Sequence, residues 1–320
     1  MIAATTVVGI DVSRDWLDGF CFPGEQWFRL ANSAEGHELL VAAIREMPGQ
    51  VKVGFEATGG QEWVLWATLV AAGIDAGQLP PAQIKAFALS RGTRAKTDRI
   101  DAELIARFML FRPEAGRPLP SENLRILRAM TTRRAQIVDM RKRLMAQIAA
   151  RRKQGISADV EAMDDALKAM LDTQVGDLER RIERVIAQEE SSAAKARLLR
   201  SILGIGPVSA AMLLAEMPEL GRMSAGEPAA MTGLAPVLHD SGKMRGRRAI
   251  AGGRRALRHV LFQAALAAAC HNPVLKPVAQ RLKERGKPHK LVIVAIARRL
   301  VTIANAILKT GGPWQPQLGT

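Results

Sequence analysis

Four acidic residues stand where carboxylates could hold divalent cations: Asp11, Glu56, Asp98 and Asp101. Asp11 lies at the end of the first apolar strand, in the segment TTVVGIDV, and Glu56 ends the segment VKVGFE. Asp98 and Asp101 would project from one face of a helix, because residues three apart are neighbours there. Four converging carboxylates repel each other unless cations lie between them. Two Mg²⁺ ions, about 3.5–4 Å apart, would offset that repulsion and stabilise the attacking and leaving oxygens of a phosphoryl transfer.

Each carboxylate also has a structural explanation. An Asp at the end of a strand often forms a turn. Asp98 could be a helix N-cap, and Asp101 could favour the positive end of the same helix. Basic side chains near the carboxylates favour metal-assisted chemistry on a phosphate substrate instead. These residues are Arg91, Arg94, Lys96 and Arg99. The pattern alone leaves both interpretations open.

The charge is segregated along the chain of 320 residues, whose net charge is +15. Residues 1–90 hold 5 Lys/Arg and 10 Asp/Glu, and residues 91–155 hold 17 and 6. Residues 156–240 hold 8 and 14, and residues 241–320 hold 16 and 1. The two basic blocks predict two phosphate-binding surfaces and therefore a nucleic-acid partner, with a solvated basic face as the alternative. The acidic first block could work near DNA if it bound cations.

The chain has no tyrosine, which excludes any mechanism that needs a tyrosine nucleophile. Cys21 and Cys270 lie far apart without metal-ligand spacing, as in a protein of the reducing cytoplasm. The first residues lack the basic n-region of a signal peptide, and no apolar run approaches the ~20 residues of a membrane span. We therefore expect a cytoplasmic protein with no membrane partner.

The elements that would position the carboxylates follow the order of an α/β RNase H-like (RuvC-like) domain over residues 1–115. The sequence predicts strands at 5–12, 17–22, 26–30, 51–55 and 74–78, and helices at 34–47, 61–72, 81–89 and 98–108. In such a sheet the ends of the first and fourth strands lie side by side. Asp11 and Glu56 would then be neighbours, with the helix of Asp98 and Asp101 beside them.

Residues 116–195 form a predicted helical coiled-coil hairpin. Apolar residues alternate at spacings of three and four on either side of a break at Gly155. They are Ile137, Met140, Leu144 and Ile148, then Val160, Met163, Leu167, Met170, Leu178, Ile182 and Val185. This predicts two long antiparallel helices. The hairpin could mediate dimerisation or span a nucleic-acid duplex, or it could simply be a packed helical pair.

Residues 196–320 form a predicted, mostly α-helical C-terminal domain. Gly204 and Gly206 lie between two apolar helical stretches, as in a helix-hairpin-helix, where a glycine turn lets backbone N–H groups reach phosphate oxygens. A tight turn between core helices is the alternative. Further helices are predicted at 253–270, 273–284 and 287–309, after loops and a hairpin around Ser241.

Ser241 lies in the segment HDSGKMRGRR, beside the cations Lys243, Arg245, Arg247 and Arg248. A hydroxyl next to cations that neutralise a phosphate could act as a nucleophile. The alternative is a turn residue in a basic loop, and composition alone does not select this serine.

Two groups of motifs resemble one known family. The segments GIDVSRD, GFEATGG and KTDRIDAELIARF resemble the catalytic motifs of the DEDD transposases of the IS110 insertion-sequence family. LLRSILGIGPVSAAMLLAEM and MTGLAPVLHDSGKMRGRRAIAGGRRALRHVLFQAAL resemble the second conserved domain of that family. The resemblance covers most of the chain in the same order, although the middle helices match in character only. Phe262 stands where relatives often carry tyrosine, which affects no proposed catalytic role.

The resemblance implies a bacterial transposase that cuts and rejoins DNA. Asp11, Glu56, Asp98 and Asp101 would form the metal-binding tetrad of a RuvC-like domain, holding two Mg²⁺ ions or Mn²⁺, and Ser241 would be the covalent nucleophile. A structured bridge RNA would pair with donor and target DNA, so that base pairing supplies specificity. The synaptic complex would be a homo-oligomer, a dimer to a tetramer, with each active site shared between subunits.

The predicted nucleic-acid contacts are Arg91, Arg94, Lys96, Gly204, Gly206, Lys243, Arg245, Arg247, Arg248, Arg254, Arg255 and Arg258. Two rival functions remain at this point. A RuvC-like junction-resolving nuclease would need the tetrad and no serine, and a non-catalytic nucleic-acid-binding protein would need neither.

Overall fold

The computed structural model describes residues 5–92, 97–155, 158–237 and 249–316. Contacts divide the chain into two units, residues 1–120 and residues 121–320. The described part of unit 1 is α/β, and that of unit 2 is helical apart from a two-stranded ribbon. Unit 2 holds both the helical hairpin and the C-terminal helices. The finer division at residues 115 and 195 stays a prediction.

Unit 1 contains a mixed sheet of the predicted element order. Its elements are β1 (Thr6–Val12), β2 (Trp16–Phe22), β3 (Gln26–Ala31), α1 (Ala34–Glu46), β4 (Val51–Glu56), α2 (Trp63–Ala71), β5 (Asp75–Leu79), α3 (Pro81–Ser90) and α4 (Asp98–Phe111). The strands lie in the order β3-β2-β1-β4-β5. Pairing is antiparallel among β1, β2 and β3, and parallel from β1 to β4 to β5. The expected RNase H-like arrangement, with β5 at an edge, is confirmed.

The central strand β1 is apolar on both faces because helices cover both sides of the sheet. Val8 and Ile10 pack in a core with Leu40 of α1 and other buried residues. Val7 packs in a second core with Ile105 of α4. Alternate residues of β1 therefore face different helices, and the odd-numbered ones face α4.

The predicted helical hairpin is present in unit 2 as α5 (Glu122–Gln154) and α6 (Ala158–Gln188). Gly155 ends α5 in the left-handed conformation, with φ 69°, as glycine commonly does at a helix C-terminus. The buried seam contains Ile137, Leu144, Ile148, Leu171 and Val175.

The predicted seam is wrong for four of its residues. Met140, Met163, Leu167 and Met170 are exposed. On α6 the stripe that turns inward is instead the one through Leu171 and Val175. Both stripes repeat at spacings of three and four, so spacing alone does not show which one faces the neighbouring helix.

The rest of unit 2 packs around one apolar core. Its elements are α7 (Glu190–Arg200), α8 (Pro207–Glu216), α9 (Glu227–Met231), β6 (Pro236–Val237), β7 (Ala249–Ile250), α10 (Arg255–His271), α11 (Leu275–Glu284) and α12 (His289–Thr310). By length and composition alone, α12 could cross a membrane, which the sequence analysis did not anticipate. Val292, Ile296 and Leu300 are completely buried in the unit 2 core, so α12 is a core helix.

Candidate active site

Asp11 and Glu56 lie at neighbouring positions on two parallel strands. Ile10 of β1 is registered with Phe55 of β4, so the next residue on each strand is one of the two carboxylates. Both are partly exposed, whereas Ile10 and Phe55 are fully buried. Each carboxylate therefore lies near the end of a largely buried strand, and on β1 only the buried Val12 follows it.

Two glycines bring α4 onto this part of the sheet. A Cβ atom on Gly9 would lie 2.4 Å from the Ala102 carbonyl oxygen, and one on Gly54 would lie 2.2 Å from Met109 Sδ. Side chains two residues apart on a strand project from the same face. Asp11 follows Gly9 by two residues, and Glu56 follows Gly54 by two, so both carboxylates are on the face that α4 covers.

The first turn of α4 carries the other two carboxylates. Thr97 is the N-cap, and its side chain accepts a hydrogen bond of 3.3 Å from the Ile100 N–H. The structural alternative for Asp98, a helix cap, is therefore wrong, because Thr97 has that role. Asp98 and Asp101 precede the buried Ala102 and Ile105 by about one turn and share their side of the helix. The stripe of α4 that packs on the sheet thus begins with two carboxylates.

The four carboxylates share one face without forming a closed cluster. Within the described residues, no three His, Cys, Asp or Glu side chains are gathered closely enough to hold a metal ion. The donor set still suits a divalent cation, since hard ions such as Mg²⁺ take carboxylate oxygens. Drawing four negative groups together requires cations to offset their repulsion.

Sequence reasoning missed a fifth carboxylate beside this site. Asp18 of β2 is paired with Asp11 on one side and with Arg29 of β3 on the other, so all three project from one face. Asp18 is only 5% exposed and accepts hydrogen bonds from Arg29 Nε at 2.8 Å and Nη2 at 3.0 Å. Arg29 Nη2 also lies 3.0 Å from Asp98 Oδ2. Its hydrogen bonds to Asp18 raise the pKa of Arg29, which remains charged.

A signal for this arrangement exists in the sequence. Asp18 interrupts the otherwise apolar strand WLDGFCF, and a buried carboxylate needs a partner. The partner itself depends on the register between β2 and β3, which the residue pattern does not give.

A second buried carboxylate organises the loop that follows Glu56. Glu62 is 2% exposed and accepts hydrogen bonds from Thr58 Oγ1 at 2.8 Å, the Thr58 N–H at 3.3 Å and the Gly60 N–H at 3.0 Å. Gln78 Nε2 donates to its other oxygen at 2.9 Å. Burial raises the pKa of Glu62, but backbone and hydroxyl donors outweigh that effect and lower it overall. Glu62 is therefore an ionised anchor for residues 58–60.

The predicted nucleic-acid contacts divide into several groups. Arg91 is exposed, with its guanidinium 5.7 Å from the centre of the Phe87 ring. Gly206 is also exposed and begins α8. Ser241 lies outside the described residues. Six of the predicted contacts also lie outside them, namely Arg94, Lys96, Lys243, Arg245, Arg247 and Arg248.

Gly204 has a packing role that the prediction did not include. It has φ +112°, and a Cβ there would lie 2.6 Å from the Ala268 Cβ of α10. The interpretation as a tight turn between core helices therefore accounts for Gly204, whereas Gly206 has open space around it.

Three arginines at the start of α10 differ in their surroundings. Arg254 turns inward, forming an ion pair with Glu219 and donating to the Glu216 carbonyl oxygen. Two of its guanidinium nitrogens are thus engaged within the protein, and its role as a phosphate contact stays a prediction. Arg258 donates to the Gly252 carbonyl oxygen at 2.7 Å, and Arg255 is exposed.

Two family models match consecutive parts of the chain. A DEDD transposase model matches residues 8–151, which include the four carboxylates. A second model, described as transposase of the IS116/IS110/IS902 family, matches residues 196–280. The chain belongs to the IS110 family of transposases. It is an enzyme of the transposase and DNA recombinase class.

Curated relatives of this transposase include two of nearly equal length. The pilin gene-inverting proteins of Moraxella lacunata and Moraxella bovis are each 26% identical to it, and each match covers 98% of both chains. An uncharacterised 43.6 kDa protein of insertion element IS110 from Streptomyces coelicolor is 31% identical over 36% of this chain and 29% of that protein.

A solved structure with a similar part is Thermus thermophilus RuvC in complex with a Holliday junction substrate. That match covers 36% of this transposase and all of the RuvC chain, with 16% identity and a TM-score of 0.28. A likeness this loose supports no inference about the site. Membership in the family implies DNA binding and a divalent metal ion.

Proposed function

We propose that this transposase is a guide-RNA-directed recombinase that cuts and rejoins donor and target DNA. Its metal-binding tetrad would be Asp11, Glu56, Asp98 and Asp101, and its covalent nucleophile would be Ser241. The observation that carries the proposal is the common face of the four carboxylates. Asp11 and Glu56 continue two strands that α4 covers through Gly9 and Gly54, and Asp98 and Asp101 begin that helix.

The tetrad would act by supplying oxygen ligands at the end of the sheet. Two bound Mg²⁺ or Mn²⁺ ions would neutralise the charge that develops on the scissile phosphate. The acidic face of unit 1 would otherwise repel DNA. Basic residues elsewhere, such as the exposed Arg91 and Arg255, would hold backbone phosphates.

The covalent step assigned to Ser241 follows from the family resemblance. Its Oγ loses a proton and bonds to phosphorus, while the bond from phosphorus to the 3′ oxygen breaks and that oxygen gains a proton. The products are a 5′-phosphoserine and a free 3′-hydroxyl. The 3′-hydroxyl of one strand then attacks the phosphoserine of the partner strand, which joins the strands and releases serine.

Three further properties belong to the same proposal. A structured RNA would pair with both DNA partners, and a dimer or tetramer would assemble the active site from two subunits. The reaction would take place in the bacterial cytoplasm. The two basic blocks of the sequence support a second nucleic-acid partner, because each would supply cations for a separate set of backbone phosphates.

The experiment compares Asp11→Asn and Ser241→Ala in strand cleavage and rejoining with Mg²⁺. We expect Asp11→Asn to abolish cleavage while DNA binding remains, and Ser241→Ala to abolish the covalent protein–DNA product. Asp75→Asn, an exposed acidic residue that begins β5, is the matched control and should keep full activity. Cleavage and rejoining that persist in full in Ser241→Ala would favour a junction-resolving nuclease. If no specific RNA copurifies with the active protein, the proposal of RNA guidance is wrong.

A further inference from the structure

We propose that Arg29 is a positioning residue that orients Asp98 for cation binding, and that the buried Asp18 anchors Arg29. The inference rests on the proposed function, because it takes Asp98 as a metal ligand. It adds two residues, neither of them in the tetrad, to the machinery of the site.

Two residues of β2, Asp18 and Trp16, hold the side chain of Arg29. Asp18 accepts from both Nε and Nη2, which is the two-point geometry that fixes a guanidinium plane. The side chain of Asp18 is 7% exposed, so this carboxylate has little freedom to move. Trp16 covers the guanidinium from its face, with the ring centre 5.8 Å from Cζ. The position of Arg29 is therefore set by β2 and does not depend on Asp98.

Asp98 has much less support of its own. Its side chain is 63% exposed and lies in the first turn of α4. The Arg29 Nη2 group, already fixed by Asp18, donates to Asp98 Oδ2 at 3.0 Å. A carboxylate with one oxygen held in this way has a defined orientation and keeps its second oxygen for a cation. Arg29 therefore links the orientation of Asp98 to the sheet that carries Asp11.

An arginine beside a metal site could also compete with the cation for the carboxylate. The structure favours positioning over competition, because the charge of Arg29 is balanced first by the buried Asp18. The pair is close to neutral and repels an incoming cation weakly. Outer hydrogen-bond partners of metal-ligating carboxylates typically change metal affinity about 10–100-fold when they are removed.

The test measures Mn²⁺ affinity of the purified full chain by calorimetry and by the electron paramagnetic resonance signal of free Mn²⁺. Arg29→Gln leaves Asp18 buried without its cation and could unfold unit 1, so the principal variant is the pair Asp18→Asn with Arg29→Gln, whose side chains are neutral. Arg29→Lys keeps the charge but loses the two-point geometry. Arg14→Gln is the matched control, because Arg14 is an exposed arginine whose guanidinium pairs with the neighbouring Asp15.

We expect Mn²⁺ affinity to fall about 10–100-fold in the double variant, to fall less in Arg29→Lys, and to stay unchanged in Arg14→Gln. In an Asp98→Asn background, the Arg29→Lys change should cause no further loss. Affinity that is unchanged or tighter in both Arg29 variants, with native thermal unfolding, would overturn the inference. Failure of the proposed function gives a different result, because Asp11→Asn would then bind Mn²⁺ as tightly as the original protein.

Discussion

Gly9 and Ala102 are in such close contact that no other residue fits at position 9 without a shift in the backbone. A Cβ there would lie 2.4 Å from the Ala102 carbonyl oxygen and 2.4 Å from the Ala106 nitrogen. Asp101 immediately precedes Ala102, and Asp11 follows Gly9 by two residues. The distance between strand and helix at this point therefore sets how closely the two halves of the proposed tetrad approach.

Gly9→Ala should separate α4 from β1. Overpacking of a well-packed core costs about 1–3 kcal/mol, and backbone atoms of a helix cannot turn aside as a side chain can. We expect the free energy of unfolding to fall by about 1–3 kcal/mol. We also expect weaker Mn²⁺ binding and slower DNA cleavage. Urea denaturation and metal titration of the same preparations measure both effects.

Gly54→Ala and Gly24→Ala are comparison variants for Gly9→Ala. A Cβ on Gly54 meets Met109 Sδ, which belongs to a flexible side chain, so the effect should be smaller than at Gly9. A Cβ on Gly24 would have no neighbouring atom closer than 3.8 Å, so this substitution should change little. If Gly9→Ala and Gly24→Ala behave alike, the contact does not control the site.

The order and pairing of the unit 1 elements could be predicted because a strand buried on both faces and the helices after it leave clear patterns. The same patterns placed Asp11 and Glu56 near the ends of apolar strands, but only the family resemblance identified them, with Asp98 and Asp101, as a metal-binding tetrad, and that grouping stays a prediction. Asp18 and Arg29 could not be assigned, because the contact depends on the register of β2 with β3 and on where the first turn of α4 lies. The seam of α6 was misassigned because two stripes share one spacing.

Glu62→Gln should weaken the loop that follows Glu56. Glu62 accepts four hydrogen bonds while buried, and bonds to a charged acceptor contribute about 1.5–3 kcal/mol each when their partners are removed. Glutamine keeps the shape but replaces one acceptor oxygen with a donor that faces other donors. We expect the free energy of unfolding to fall by about 2 kcal/mol at pH 7, measured by urea denaturation.

The effect of Glu62 should depend on pH in a defined direction. Its folded-state pKa is lowered, so its contribution is fully present above the unfolded-state pKa, about 4.3, and is lost as pH falls through the lower folded-state pKa. The difference between Glu62→Gln and the original protein should therefore shrink as the pH is lowered below about 4.3. A difference that stays constant down to pH 3 would show that the ionised carboxylate is not the stabilising group.

Gly233→Ala should disturb the packing beside β6 and β7, the two short strands that precede and follow residues 238–248. Gly233 has φ +68°, and a Cβ there would lie 2.2 Å from the Gly252 carbonyl oxygen. β6 and β7, which flank residues 238–248, pair close to this contact. We expect loss of the covalent protein–DNA product on a denaturing gel, with Mn²⁺ binding at unit 1 retained. Gly226→Ala, which has open space, is the control, and equal amounts of covalent product in the two variants would contradict the prediction.

Alanine substitutions of the adjacent residues Arg254 and Arg255 should have different effects. Arg254 is 20% exposed and pairs with Glu219, so Arg254→Ala should lower the free energy of unfolding by about 1–3 kcal/mol. Arg255 is exposed at the start of α10, so Arg255→Ala should leave stability unchanged and weaken DNA binding. Loss of one phosphate contact should reduce the slope of log affinity against log salt by about 0.9. Thermal unfolding and DNA titrations at several salt concentrations separate the two. A normal salt slope in Arg255→Ala would remove this residue from the phosphate-binding surface.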